Sequence, residues 1–131
     1  MTTIVLAEDH HVVREGFSAL LSAQPDFRVV GEAADGLKVP AMVGSLRPDV
    51  LVVDMMLPGL GGVEVTRQSR QRSPRTRVVV LSMHAAEAYV IEALRAGALG
   101  YVVKDAHVSE LVRATSARYR ALQDEGVLSS R

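Results

Sequence analysis

"LVVDMMLPGLGG", residues 51–62, joins a short aliphatic run to a carboxylate, Asp54, and then to a turn at Pro58-Gly59. A run that is apolar at consecutive positions suits a parallel strand covered on both faces. A carboxylate at the end of such a strand is expensive unless something nearby uses or neutralises it. The stretch therefore predicts a buried parallel sheet and further polar groups delivered to the place where Asp54 emerges.

Working outward, "DVLVVD" (49–54) is one of five β-branched, apolar runs. The others are "TIVLA" (3–7), "FRVVGEA" (27–33), "RVVVLS" (77–82) and "GYVVK" (100–104). Helical patterns fill the intervals. Val13, Phe17, Leu20 and Leu21 form one stripe, and Val108, Leu111, Val112, Thr115, Tyr119 and Leu122 form another. "AEAYVIEALRA" (86–96) is rich in helix formers and ends at Gly97, a suitable C-cap. Pro40 predicts a late or irregular start, near residues 38–40, for the second helix. "GVEVTRQSRQR" (62–72) has a thin apolar face, mainly Val63 and Val65, and is read as a helix because a parallel crossover needs one. The result is an α/β chain of (βα)5 type. Its predicted architecture is a doubly wound, flavodoxin-like parallel sheet of strand order 2-1-3-4-5.

The composition sets limits on function. With 131 residues, 48% apolar, the chain is sized for one domain, and its formal net charge of +0 gives no general field for nucleic acid or membrane. No apolar run approaches the ~20 residues of a membrane span. "MTTIVLAEDHH" has no export-signal pattern. The absence of cysteine excludes disulfides and thiol catalysis and fits a reducing, cytoplasmic setting. Among the 15 basic residues only Lys38 and Lys104 are lysines, so each is conspicuous against an arginine background. Residues 1–122 are expected to be the domain, and 123–131, "QDEGVLSSR" from Gln123, a tail or the start of a linker.

In an open parallel sheet, chemistry collects beyond the carboxyl ends of the strands. The first strand leads into Glu8-Asp9, the third ends in Asp54, the fourth in Ser82 and the fifth in Lys104. Strands that adjoin in the expected order bring these ends into one pocket. Clustered carboxylates repel unless a cation intervenes, and oxygen donors without cysteine favour a hard divalent ion, Mg2+. A metal, a nucleophilic carboxylate, an ammonium and a hydroxyl together suit phosphoryl transfer to Asp54, with Lys104 balancing charge and Ser82 donating to the acquired phosphate. Taken singly, the acid pair would equally cap a helix, Asp54 would be a loop carboxylate, and Lys104 a solvated charge.

With these residues assembled, the chain resembles the receiver domain of two-component response regulators, of the NarL/FixJ type. "LAEDHHVVREGFSALL", "VVDMMLPGLGGVEV", "VVVLSMH" and "ALRAGALGYVVKD" match family segments in order and spacing, over about residues 3–122. The resemblance implies that Asp54 is the phosphorylation site. It implies that Asp9, Asp54 and the backbone carbonyl of Met56 ligate Mg2+, with Glu8 acting through water. Ser82 and Lys104 would contact the phosphoryl group, Tyr101 would be the aromatic switch residue, and Met56, Met83 and His84 would tune dephosphorylation. The implied donor is a phosphohistidine on a sensor histidine kinase, and the domain would catalyse its own dephosphorylation rather than act as a conventional enzyme. A homodimer, and an output through a C-terminal DNA-binding helix-turn-helix beyond this chain, are also implied. Departures from the pattern are Glu8 where many members have Asp, Met83 where Ala or Gly is common, and Asp105 where many have Pro.

Other features have simpler readings. His10, His11 and His107 are expected at solvated helix starts. "RQSRQRSPRTR" (67–77) gathers five arginines and is read as a solvated face. A Mg2+-dependent aspartyl phosphatase would want an acid two residues after Asp54, where Met56 stands. A cofactor binder of this topology would want a Gly-rich phosphate loop after the first strand, and "AEDHH" has the opposite sign. A receiver used only for protein contacts is the remaining alternative.

Overall fold

The computed structural model describes residues 1–83, 86–104 and 108–116. Expectations for His84, Asp105, His107, Tyr119, Leu122 and the 123–131 tail fall outside those residues. The strands are β1 (Thr2–Ala7), β2 (Phe27–Ala33), β3 (Val50–Asp54), β4 (Arg77–Ser82) and β5 (Gly100–Val103). The helices are α1 (His11–Ser22), α2 (Val39–Leu46), α3 (Gly62–Arg72), α4 (Glu87–Ala96) and α5 (Val108–Thr115). All pairings are parallel and the order is β2-β1-β3-β4-β5, as the sequence predicts.

The continuous apolar runs have a direct cause. Successive side chains point to opposite faces, and here both faces are covered. Val5, Ala7, Leu51, Val53, Val78 and Val80 form one core with Val39, Val43, Val65 and Ala93 of α2, α3 and α4. Ile4, Leu6, Val50, Val52, Val79 and Leu81 form the other with Leu21 of α1 and Leu111 of α5. Every residue of β3 is buried.

The helices are less uniform than their patterns suggest. In α1, Leu21 is buried and Phe17 and Leu20 are half-covered, but Val13 is 36% exposed, so the core-facing stripe is narrower than expected. A 3-10 turn at Gly36–Lys38 precedes α2, and Pro40 sits in the first turn of that helix, where a missing N–H costs nothing. In α3 the buried face consists of Gly62, Val65, Thr66 and Ser69. Thr66 Oγ1 donates to Gly62 O at 2.7 Å, so a small hydroxyl replaces apolar bulk there. Gly97 closes α4 at φ 109°, a left-handed cap suited to glycine. No helix of the described residues is long and apolar enough to cross a membrane.

The arginine-rich segment is not simply a solvated face. Arg70 donates to the carbonyls of Pro74 and Thr76. Arg77 donates from Nη1 to Ser116 O at 2.7 Å and from Nη2 to Thr115 O at 3.2 Å, satisfying carbonyls at the end of α5. Burial lowers the Arg77 guanidinium from its ordinary value, opposed by the charge of Asp49.

Candidate functional site

The sheet register places the predicted residues side by side. Ala7 pairs with Val53, Asp54 with Leu81, and Ser82 with Val103. Glu8 follows β1 directly and is fully buried, with its backbone N–H held by Ala33 O at 3.0 Å. Asp54 ends β3 at 4% exposure, and Ser82 ends β4 fully buried. Lys104 follows β5, its backbone N–H held by Ser82 O at 2.7 Å. Glu8, Asp54, Ser82 and Lys104 therefore emerge at one end of four adjacent strands.

Lys104 joins the two buried acids. Its Nζ lies 2.6 Å from Glu8 Oε1 and 3.0 Å from Asp54 Oδ2. Burial alone would lower the ammonium's pKa, but the hydrogen bonds and charges of Glu8 and Asp54 outweigh it and the net direction is upward. Asp54 Oδ1 accepts from the backbone N–H of Met56 at 3.1 Å, so both of its oxygens are oriented.

The acid pair has a feature that the sequence reading missed. His10 is exposed, as expected for a helix start, but its Nδ1 lies 3.2 Å from Glu8 Oε2 and 3.4 Å from Asp9 Oδ1. Only its position immediately after two acids hinted at this, since side-chain direction is not readable from spacing. Potential ligand atoms of Glu8, Asp9, His10 and Asp54 all lie within 4.8 Å of one another. Asp9 Oδ1 is buried without a well-aligned hydrogen-bond donor among the described residues, whereas Glu8 Oε1 is held by Lys104. A buried carboxylate oxygen left in this condition, in an oxygen-rich set, fits a hard divalent cation such as Mg2+.

The residues flanking this centre divide into fixed and exposed. The Ser82 side chain hydrogen-bonds Tyr101, whose hydroxyl also lies 3.9 Å from Met55 Sδ. Burial raises the Tyr101 phenol above its ordinary value, the Ser82 bond works against it, and the nearby Tyr89 adds to the rise. Met55 is core at 5% exposure, whereas Met56 and Met83 are each 65% exposed. Met55 is therefore part of the core, and Met56 and Met83 present their side chains to solvent. Gly62 fixes the return of the chain after β3. A β-carbon there would lie 2.5 Å from Asp54 O and 2.6 Å from Met55 Cα, too close for any larger residue.

This arrangement has known counterparts. A family profile described as the response regulator receiver domain matches residues 4–116. The chain is 42% identical over 114 residues to DevR/DosR of Mycobacterium tuberculosis, described as a DNA-binding transcriptional activator, covering 87% of this chain and 52% of that one. A LuxR-family two-component response regulator from Aurantimonas superposes with a TM-score of 0.83 at 37% identity, covering 100% of this chain and 87% of that one. The receiver domain of a response regulator NarL from Mycobacterium tuberculosis gives a TM-score of 0.82 at 36% identity, covering 86% and 91%. The chain spans about half the length of the curated relatives it matches.

Proposed function

The chain belongs to the response regulator receiver domain family, and from that premise we propose that Asp54 accepts a phosphoryl group from a phosphohistidine of a sensor histidine kinase. One observation carries this reading: Lys104 bridges Asp54 and Glu8 where four strand ends meet. A carboxylate oxygen of Asp54 attacks phosphorus in line. The P–N bond breaks, and its electron pair leaves with the donor imidazole. Lys104 is positioned to exchange its contact with Asp54 for the incoming phosphoryl oxygens. The Ser82 hydroxyl donates to the acquired phosphate, and in doing so gives up its bond to Tyr101, which makes that tyrosine the element free to report the change.

Asp9, Asp54 and the backbone carbonyl of Met56 would hold Mg2+, with Glu8 acting through water. A bound Mg2+ supplies charge neutralisation for the phosphoryl oxygens. Met56, Met83 and His84 set the rate at which water reverses the modification, and the exposure of Met56 and Met83 suits that role. The output is transcription in the cytoplasm, through a DNA-binding segment beyond this chain and a homodimer of receivers.

The test is intact mass after incubation with acetyl phosphate and Mg2+, beside Asp54→Asn and an EDTA control. One added phosphoryl group, lost in both controls, is the expected result. No adduct, together with no beryllofluoride binding, would leave a domain used only for protein contacts.

A further inference from the structure

At the pole of the sheet opposite Asp54, the loops that lead into β3 and β4 enclose a cavity of about 590 Å3. Its lining includes Arg47, Arg72, Arg75, Pro48, Pro74 and Asp49. The arginines of this region do not share one role. Arg67 pairs with Glu64, while Arg70 and Arg77 are engaged by backbone carbonyls. Arg47, Arg72 and Arg75 have no acidic partner within ion-pair distance among the described residues. Asp49 does not supply one. Its Oδ2 accepts from Thr3 N at 2.8 Å and Thr3 Oγ1 at 3.1 Å, and its charge acts on Arg77. Three arginines thus line one concave space in a chain of formal charge +0.

The backbone provides a second, independent observation. Arg47 caps α2 at φ 46° and ψ 59°, the one non-glycine residue with positive φ among those described. Glycine is the usual occupant of such a cap, and strain retained by a larger side chain points to a use for that side chain. The cavity is also built in advance. Ser73 Oγ lies 2.7 Å from Thr76 Oγ1, which donates to Pro48 O at 2.7 Å, and Arg77 N donates to Asp49 O at 2.9 Å. These bonds tie the two loops together before any ligand arrives.

We propose that this cavity binds a small organic phosphate of nucleotide size. Its phosphate oxygens would lie on Arg47, Arg72 and Arg75, and its flat apolar part against the exposed Pro74 ring. The volume lies within the roughly 300–1,000 Å3 typical of small-ligand sites, and guanidinium forks match phosphate oxygens in pairs. Duplex DNA would require a basic track along an open face, whereas these arginines surround a single concavity.

The site shares no residue with the Asp54 pocket, so its test is independent of the proposed phosphoacceptor role. In the 131-residue chain with EDTA present, ADP and inorganic pyrophosphate should each shift the amide resonances of Arg47, Asp49, Arg72, Ser73, Arg75 and Thr76, and adenosine should not. Arg72→Gln combined with Arg75→Gln should weaken ADP binding by about tenfold or more. Arg47→Gly should also weaken it while the melting midpoint holds or rises, which separates loss of the guanidinium from loss of the fold. Asp54→Asn should bind ADP as the native chain does. The proposal is overturned if millimolar ADP and pyrophosphate leave those resonances unmoved, or if the arginine variants bind ADP as tightly as the native chain. It also fails if a short duplex DNA binds there and ADP does not.

Discussion

Lys104 stands between two carboxylates, Glu8 and Asp54, that are almost wholly removed from water. Removing it would leave both acids buried beside one another with no ammonium to balance them. Lys104→Ala should therefore destabilise the metal-free domain by about 3 kcal/mol in denaturant unfolding. Added Mg2+ should recover more stability in the variant than in the native protein. The pH dependence has a definite sign. The folded-state pKa of Lys104 is raised, so its contribution is intact below the ordinary lysine value of about 10.4 and is lost as pH climbs through the higher folded value. The difference between native and variant unfolding free energies should hold steady up to about pH 10.4 and shrink above it. A difference that shrinks at neutral pH instead would mean that Lys104 is not the group balancing these acids. Asp54, Ser82 and Lys104 were legible in the sequence because a strand end is a position, and positions can be counted. The reach of His10 to the acid pair and the contact of Tyr101 with Met55 were not, because both depend on side-chain direction within a packed fold.

At the scale of elements, two contacts explain how a weakly patterned helix and a terminal one are held. The start of α3 approaches the chain after β3 so closely that only glycine fits at position 62. Gly62→Ala should cost about 1–3 kcal/mol and slow acetyl phosphate labelling, since the atoms that must move are the backbone of Asp54 and Met55. Normal labelling in a variant of lowered melting midpoint would separate that contact from the chemistry. Arg77 reaches from β4 to the last carbonyls of α5. Arg77→Met should cost about 1–3 kcal/mol and speed hydrogen exchange at residues 111–116 while leaving β3 protected. Uniformly faster exchange would show a global rather than a local loss. The thin apolar face of "GVEVTRQSRQR" predicted a weak helix, and what helps to make up the deficit, the buried Thr66 hydroxyl on Gly62 O, has no hydropathy signal. Arg70 and Arg77 escaped notice likewise, because an arginine on a carbonyl and one in water look alike in sequence.

For the molecule as a whole, the order 2-1-3-4-5 follows from five apolar runs and right-handed crossovers, so topology was legible almost entirely. The register shift between Ile4 and Val5 in the β1–β2 pairing was not, nor was the meeting of Arg47 with Arg72 and Arg75 across the foot of the sheet. We propose that the domain ends at residue 122. Deleting residues 123–131 should then leave the melting midpoint and labelling unchanged, and a clear fall in the midpoint would move the boundary into that segment. The pocket itself joins the two ends of the domain: Glu8 follows the first strand, and Lys104 follows the last. On a ribosome the acids emerge long before the lysine that balances them, and a chain arrested before β5 carries Glu8 and Asp54 with no ammonium to set against them. On the proposed function, readiness for a phosphoryl donor thus arrives only with the final strand.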